Sequence, residues 1–443
     1  MSNWQKVKIG DFLFERKGRY KPNYEQIVNL PRIEKIDFSG NFHIGNKDSK
    51  TDMILIKDGD LVISGINVAK GAMGIYSGED VTATIHYSSY TFDSNKINVE
   101  YFKRFLKSSE FIELLNEQVK GGIKTEIKPK HILPLEIQLP DINTQAQIVQ
   151  HFENVEDDIA DVTKEVLKQE SLLKKLKQTI LQEAIEGKLT AKWRAKNPDI
   201  GTAKELLDQI KTEKEQLVKD KKIKASKLLA PINEDEIPFD IPPSWEWCKF
   251  GEIIYENPRN GYSPKTVDYK TEIKTLKLGA ITQGYFDTTQ IKYLDISIEK
   301  DSFLWLKKGD VLIQRSNSLE HVGMAGIYNL KDTNYIYPDL IMKCQVVQPV
   351  INYFIHKYLV SNFTREYFRN NASGAQQSMP KINQGTVTNL LVPLPPTEEQ
   401  KEIVATIEKL FTICDELESE INQNKTTVQT IMTTVLKEAF EQQ

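Results

Sequence analysis

Basic and amide side chains stand beside glycine and tyrosine at several places in the chain, and the chemistry they could perform is the binding of nucleic acid. Arginine can bond guanine through two hydrogen bonds, asparagine and glutamine can do the same for adenine, and lysine neutralises phosphate. Any one of these residues could equally be an ordinary surface or turn residue, so only their recurrence in sets favours a binding site. The candidates are Lys17, Arg19, Tyr20, Lys120 and Lys124 in the first half of the chain, and Arg259, Asn260, Tyr262, Arg315, Asn317, Gln376, Gln377 and Lys381 in the second.

No motif that would indicate catalysis accompanies these sets. The chain has neither a GxxxxGK(S/T) phosphate loop, nor a GxGxxG fingerprint, nor an HExxH zinc motif. It also lacks the Asp/Asn/Ser-Pro-Pro-aromatic tetrapeptide with which amino-methyltransferases hold their target base. Six histidines are scattered singly, and Cys248, Cys344 and Cys414 are far apart without CxxC spacing. We therefore predict no catalytic residue, no metal site and no cofactor in this chain.

Composition bounds the class of protein but leaves its function open. With 443 residues, 40% hydrophobic and 27% charged, the chain is expected to be a soluble globular protein of about two to four domains. No apolar run approaches the roughly 20 residues that span a bilayer, and the first residues lack the apolar core of a signal peptide, so we expect a cytoplasmic protein. The formal net charge of −4 does not exclude nucleic acid, because binding requires only a local basic surface.

The sequence repeats itself along the chain. Residues 139–149 and 394–404 share a leucine-proline pair, a glutamine and an isoleucine-valine pair, and Gln145 precedes Gln400 by 255 positions. Residues 57–63 and 307–313 share a Lys-x-Gly-Asp turn followed by three apolar residues, now 250 positions apart. Internal repetition of this kind predicts two globular modules, each followed by a long helix.

Both long helices carry apolar residues at alternating spacings of three and four, which is a heptad pattern. The pattern skips one place in each helix, at Gln169 and at Asn424. Because register and interruption coincide, we expect an antiparallel coiled coil; the alternative is two amphipathic helices that each lie on their own module. At 1.5 Å per residue, about 40 residues would form a rigid spacer of roughly 60 Å. The seam positions are Phe152, Val155, Ile159, Val162, Val166, Leu173, Leu176 and Ile180 in the first helix, and Ile407, Leu410, Cys414, Leu417, Ile421, Val428, Ile431 and Val435 in the second.

Two further features leave alternatives open. Phe411, Ile413 and Met432 lie off the seam, so they either dock another protein or pack under the modules. Residues 188–227 hold 12 basic and 6 acidic side chains. This segment is either a surface that attracts DNA by its charge or a solvated helix and linker.

Each module is expected to mix helices and strands. Short apolar runs such as residues 53–56 and 311–313 are bounded by turn residues and predict strands, and a helix is predicted near 101–115 and near 353–368. The expected fold class is α+β, with two mixed α/β modules joined by the long helices in a pseudo-twofold internal repeat. The predicted divisions are a first module at 1–140, a first long heptad helix at 141–187, a basic helix and linker at 188–241, a second module at 242–395, and a second long heptad helix at 396–443.

A module, a leucine-proline pair, a Gln-x-x-Ile-Val helix start and a long heptad helix, all occurring twice, resemble the specificity subunits of type I restriction-modification enzymes. The likeness covers essentially the whole chain and is strongest at residues 394–404, with a partly degenerate copy at 139–149. Residues 186–194, Glu-Gly-Lys-Leu-Thr-Ala-Lys-Trp-Arg, and residues 242–245, Pro-Pro-Ser-Trp, resemble one subgroup of this family. The first copy departs from the pattern, because Asp-Ile-Asn-Thr at 141–144 stands where the second copy has Pro-Thr-Glu-Glu.

The resemblance implies a non-catalytic subunit that gives sequence specificity to a DNA adenine methyltransferase and type I restriction endonuclease. Two target-recognition domains would each read one half of a bipartite double-stranded DNA site, and the antiparallel helices would set the gap between the halves. Two methyltransferase subunits would grip the helices and carry S-adenosylmethionine. Restriction subunits with motor and nuclease activity would cut unmodified foreign DNA using ATP and magnesium. Methylation and restriction rest on this resemblance alone.

Two alternatives from other classes stay open at this point. One is a coiled-coil scaffold whose modules bind no DNA, and the other is a self-contained DNA methyltransferase or nuclease. Sequence-dependent DNA binding that falls steeply with salt would exclude the scaffold. Binding of S-adenosylmethionine by this chain alone, or cleavage of DNA by it, would favour the enzyme.

Overall fold

The computed structural model describes residues 4–46, 49–66, 72–106, 108–118, 128–225, 228–331, 334–348, 350–374 and 379–441. The chain divides into two compact units, the first made of Met1–Lys168 with Ile421–Gln443 and the second of Gln169–Glu420. The division passes through both long helices, so each unit contains one module and a part of each helix. Within the described residues no helix is both long and apolar enough to cross a membrane.

The first unit holds a strand-rich module that ends in the first long helix. Its strands are Gln5–Lys8 (β1), Leu13–Glu15 (β2), Arg32–Ile36 (β3), Phe42–Gly45 (β4), Met53–Ile56 (β5), Leu61–Ser64 (β6), Met73–Ile75 (β7), Val81–Thr84 (β8), Tyr87–Phe92 (β9) and Glu136–Leu139 (β10). Its helices are Val99–Phe105 (α1), Ser109–Gln118 (α2), Pro129–Ile132 (α3) and the beginning of Ile142–Ile185 (α4). Aromatic residues fill the core, where Phe12, Phe102 and Phe105 pack with Phe152 of α4.

The second unit repeats this order after a linker. Its helices are the end of α4, Ala191–Lys196 (α5), Ala203–Lys219 (α6), Asn352–Leu359 (α7), Asn362–Asn370 (α8), Gln384–Thr388 (α9) and the beginning of Thr397–Glu441 (α10). Its strands are Glu246–Lys249 (β11), Arg259–Asn260 (β12), Ile273–Leu276 (β13), Ile291–Leu294 (β14), Val311–Gln314 (β15), Ala325–Ile327 (β16), Tyr335–Ile336 (β17), Ile341–Cys344 (β18) and Leu391–Leu394 (β19).

The strand orders of the two modules correspond. The antiparallel sheet β2-β9-β6-β7 of the first module matches β12-β18-β15-β16 of the second. The sheet β4-β3-β8-β5 matches β14-β13-β17, including the parallel pairs β3–β8 and β13–β17. The α+β class and the internal repeat predicted from the sequence are therefore confirmed.

Each module closes on itself before its long helix begins. The first and last strands pair antiparallel, β1 with β10 and β11 with β19. The repeated glutamine then fixes the helix start: Gln145 accepts from the backbone N–H of Asn98 and donates to the carbonyl of Pro140, and Gln400 accepts from Ile351 N–H and donates to Pro395. The glutamine of the shared Leu-Pro…Gln pattern thus joins each module to the start of its long helix by hydrogen bonds of its buried side chain.

The helices predicted near 101–115 and 353–368 are each two helices, which corrects the prediction. α1 ends before α2 begins, and α7 ends before α8 begins. A buried serine stands at each break, and its hydroxyl accepts a backbone N–H of the following helix: Ser108 from Phe111 and Ser361 from Thr364. Such a capping bond satisfies a donor that a helix start leaves free, so the break is stable.

Ion pairs show the direction of the long helices within the second unit. Lys177 of α4 donates to Asp415 at 2.9 Å and to Glu418 at 2.7 Å. Arg194 of α5 joins the carbonyl of Gly187, just after the end of α4, to Glu399 near the beginning of α10. The two helices therefore run antiparallel there. In the first unit, Val435 of α10 packs against the aromatic core that contains Phe152 of α4.

The predicted seam is only partly buried. In this chain alone four of its residues are exposed, by 47% at Val162, 44% at Leu176, 41% at Leu417 and 40% at Ile431. We call these four residues the exposed half-seam. The intermediate seam residues Val155, Ile159, Leu410, Val428 and Val435 are half-buried. The buried seam residues are Phe152, Val166, Leu173, Ile180, Ile407, Cys414 and Ile421.

The off-seam residues divide between the two alternatives. Phe411 lies under the second module, where Lys357 approaches its ring to 4.9 Å, whereas Ile413 is 49% exposed. The side chain of Met432 lies outside the described residues. Asn424 is exposed and Gln169 half-buried, so neither amide is enclosed in a two-helix core.

The linker is packed against the second module. Leu206 and Ile210 of α6 are buried, and Lys214 donates to the carbonyls of Gly251 and Glu252. Farther back, Glu399 is fully buried and accepts from Thr190 Oγ1 at 2.7 Å, Arg194 Nη1 at 2.5 Å and Trp245 Nε1 at 2.8 Å. The segments 186–194 and 242–245 are thereby joined at the start of α10. We call these four residues the Glu399 cluster.

Candidate nucleic-acid interface

In the first module, the end of β2 and the beginning of β9 border a basic cavity of about 350 Å³. Arg16, Lys17, Arg19, His86 and Lys128 line it, and Glu15 is the acidic residue among its lining. Lys17 and Arg19 are exposed, so their cationic groups can reach a phosphate. The predicted contacts Lys120 and Lys124 lie outside the described residues.

Tyr20 has a role within the fold. Its backbone forms a bridge with Met53, and its ring packs against Tyr24 with the centroids 5.4 Å apart. Its neighbour Arg16 was not among the predicted contacts and is held firmly: Nε and Nη2 donate to Asp60 at 2.6 and 2.7 Å. The hydrogen bond to Asp60 raises the pKa of Arg16, and Asp60 is itself buried.

In the second module, predicted contacts that are distant in sequence lie together. Arg315 follows β15, and its backbone carbonyl accepts from Ile382 N–H at 2.9 Å. The next residue, Ser316, bridges Lys381 and donates to Pro380 at 3.0 Å. Gln376 and Gln377 lie outside the described residues. Arg315 and the exposed Lys381 therefore share one surface.

Tyr262 belongs to the same end of the sheet. Gly261 donates to the carbonyl of Ile341 and Arg315 donates to Leu340, so both follow strands that end beside the beginning of β18. A side chain at Gly261 would overlap the backbone carbonyl of Tyr337, which explains the glycine there. Tyr262 is 53% exposed. The corresponding strand ends in the first module border its basic cavity.

The three remaining predicted contacts have different surroundings. The Oδ1 atom of Asn260 is buried and has no hydrogen-bond partner among the described residues. Asn317 uses its amide in a local turn, donating to Gln314 and accepting from Ser318 N–H. Arg259 stacks on the ring of Phe303, 3.7 Å from its centroid, in a separate cavity of about 410 Å³.

Within the described ranges, no group of three or more histidine, cysteine or carboxylate side chains could hold a metal ion. The three cysteines are buried and unpaired. Burial lowers the pKa of His356 to about 4, so this histidine is neutral in the core of the second module.

Comparison with known proteins locates a family within the second half of the chain. A family model described as the type I restriction modification DNA specificity domain matches residues 242–424. The chain is 31% identical to the specificity subunit of the type I restriction enzyme EcoEI from Escherichia coli, over 58% of this chain and 43% of that relative. It is 26% identical to the EcoAI specificity subunit from the same species, over 90% of this chain and 75% of the relative. The EcoEI match thus spans less than half of that relative.

Solved structures extend the similarity of fold to the whole chain. One, from work on complex assembly and conformational transition of the type I restriction-modification system, aligns with a TM-score of 0.65 at 14% identity and covers 99% of this chain and 97% of the other. The HsdS subunit from Thermoanaerobacter tengcongensis aligns with a TM-score of 0.56 at 16% identity and the same coverage. Residues 242–424 therefore match the type I restriction modification DNA specificity domain, and the chain as a whole is similar to the specificity subunits of type I restriction enzymes.

Proposed function

We propose that this chain recognises a bipartite DNA sequence for a type I restriction-modification complex and performs no chemistry of its own. The observation that carries the proposal is the repetition of one sheet end in two modules, with cationic side chains at both: Lys17 and Arg19 in the first, Arg315 and Lys381 in the second. Each module reads one half of the target. The antiparallel helices set the gap between the halves.

The exposed half-seam supports methyltransferase subunits as partners. Within the second unit, Leu176 and Leu417 are exposed beside the ion pairs of Lys177 with Asp415 and Glu418, so a further helix laid there would bury both leucines. We propose that two methyltransferase subunits bind there and carry S-adenosylmethionine, while restriction subunits supply the ATP- and magnesium-dependent cleavage. The chain itself then needs no cofactor, and the assembly acts in the cytoplasm.

Exchange of the first module tests the function directly. We expect single-molecule methylation mapping of DNA, from cells that express this chain with its neighbouring methyltransferase subunit, to find a bipartite motif with a fixed gap. Replacing residues 1–139 by the corresponding part of a relative should change one half of that motif and leave the other half and the gap unchanged. If no methylation is found, or if the exchange leaves the motif unaltered, the result would contradict the proposed function.

Two binding measurements address the alternatives. A mobility shift with the mapped target should fall steeply between about 50 and 200 mM salt, because phosphate contacts release counterions. A scaffold without DNA recognition would show neither the shift nor a preference for the target. Calorimetry of the purified chain with S-adenosylmethionine should give no heat of binding, whereas a self-contained methyltransferase would bind it.

A further inference from the structure

The repeated Lys-x-Gly-Asp turn places a buried carboxylate at the same point of each module. Asp60 in the first and Asp310 in the second are 1% and 0% exposed, and each precedes one of the two inner strands of its sheet, β6 or β15. Each accepts the backbone N–H of the turn lysine, Lys57 at 3.0 Å and Lys307 at 2.8 Å. A buried carboxylate also needs a cation, and here the two modules differ.

In the first module the cation is Arg16, which directly follows the edge strand β2. Arg16 lies opposite Ser89 of β9, to whose carbonyl it donates at 2.8 Å, and its guanidinium holds Asp60 with two hydrogen bonds. The small side chain of Ser89 also donates to Asp60, at 2.7 Å. Serine leaves the space through which Arg16 reaches the carboxylate.

In the second module a lysine takes the position of that serine. By register, Val62 of β6 pairs with Ser89 as Leu312 of β15 pairs with Lys343 of β18. Lys343 Nζ lies 3.4 Å from Asp310 and donates to the carbonyls of Phe303 and Trp305 at 2.6 and 2.8 Å. Lys343 thus neutralises Asp310 from the other inner strand, β18, and Gln345 donates to the second carboxylate oxygen at 2.7 Å.

Arg259 is the counterpart of Arg16, because it lies opposite Lys343 as Arg16 lies opposite Ser89. With Asp310 occupied by Lys343, its guanidinium stacks on Phe303 and makes no ion pair within the part of the chain that the structure describes. Arg259 is exposed. Stacking uses only the faces of the guanidinium and leaves its N–H donors, which lie in the plane, available to a pair of acceptors.

We propose that Lys343 is a positioning residue that holds Asp310 and thereby frees Arg259 to bind DNA, whereas the equivalent Arg16 is a structural residue of the first module. This inference rests on the proposed function. The acceptors that Arg259 binds are either two oxygens of a phosphate or the O6 and N7 atoms of a guanine, both of which match its fork of donors. Phe303 restricts the orientation of the fork, so little rotational freedom is lost on binding.

The first arm of the test removes the donor. Fluorescence anisotropy of the full-length chain with a labelled target duplex should show affinity lowered on the order of 10- to 100-fold by Arg259→Ala. The exposed Arg369 in the same module offers a matched control, and Arg369→Ala should leave affinity unchanged. If Arg259 contacts a guanine, Arg259→Ala should weaken binding of the target duplex alone. If it contacts a phosphate, the variant should weaken binding of an unrelated duplex equally, and the slope of log affinity against log salt concentration should become shallower by about 0.9. Both results support the inference.

The second arm of the test removes Lys343, so that Asp310 can form an ion pair with Arg259. Lys343→Ser reproduces the Asp60–Ser89 arrangement, so we expect it to weaken binding as much as Arg259→Ala does, with no further loss when the two are combined. Adding Asp310→Asn to Lys343→Ser removes the competing carboxylate and should restore affinity for the target duplex. A melting curve of each variant separates capture of Arg259 from unfolding, because an unfolded variant would not be rescued.

The outcomes distinguish the inference from the proposed function. Normal target binding by Arg259→Ala would overturn the inference and leave DNA recognition standing. Additive losses from Lys343→Ser and Arg259→Ala would also overturn it, because Lys343 would then contact DNA itself. Absence of any sequence preference in the unchanged chain would sink the proposed function, and this inference with it.

Discussion

Replacement of Glu399 by alanine is expected to lower the free energy of unfolding of the second unit by about 3 to 5 kcal/mol. The carboxylate is fully buried and accepts from Thr190, Arg194 and Trp245. Its removal leaves three donors without an acceptor, one of them a charged guanidinium that is only 20% exposed. Thermal melting of the full chain, followed by tryptophan fluorescence because Trp245 belongs to the cluster, would measure the loss.

The adjacent residue provides the control. Glu398 is exposed and pairs only across one helical turn with the exposed Lys401, at 2.6 Å. Surface pairs of this kind contribute little, so Glu398→Ala should change stability by no more than about 0.5 kcal/mol. Equal shifts for both variants would show that the Glu399 cluster does not hold the linker to α10.

Loss of methyltransferase assembly is the second large effect that we expect, from the double variant Leu176→Glu with Leu417→Glu. Both residues belong to the exposed half-seam, at 44% and 41% exposure. If a partner helix buries them, each glutamate places a charge in that interface and should weaken assembly by at least about 30-fold. Co-purification of the chain with the proposed methyltransferase partner, followed by size-exclusion chromatography, would show whether the complex forms.

Folding of the chain should survive this change, because water already reaches both side chains. Leu228→Glu is a suitable control, since Leu228 is fully exposed in the linker and lies off the helices. Its complex should elute as the unchanged complex does. Normal assembly of the double variant would exclude the exposed half-seam as the methyltransferase-binding surface and leave DNA recognition by the modules untouched.

The candidate contacts show what residue types can and cannot predict. Three of the predicted contacts, Arg19, Tyr262 and Arg315, lie at strand ends of the two modules. The same prediction also selected Asn260, whose oxygen is buried. A residue type states which hydrogen bonds a side chain can make, but burial and neighbouring groups decide which of them it does make.

Arg16 and Arg259 are residues of one type whose tertiary surroundings give them different partners. Both are arginines near the end of an early strand, and the sequence offers no reason to separate them. The repeated Lys-x-Gly-Asp turn was visible, but its aspartate acquires a meaning only when β9 or β18 brings Ser89 or Lys343 beside it. Ser89 and Lys343 follow their aspartates by about thirty residues, so a local sequence pattern could not show that they lie beside them.

The sequence by itself determined the repeat, the α+β class and the two long helices, because each is written as a local period or as a pair of matching segments. Tertiary structure alone decided three things: the break of each module helix in two, the part of the seam that stays exposed, and the arginine that is left without a carboxylate. The physical reason is common to all three. Heptad spacing and side-chain chemistry are local properties, whereas burial and ion pairing depend on which distant strands and helices occupy the space around a residue.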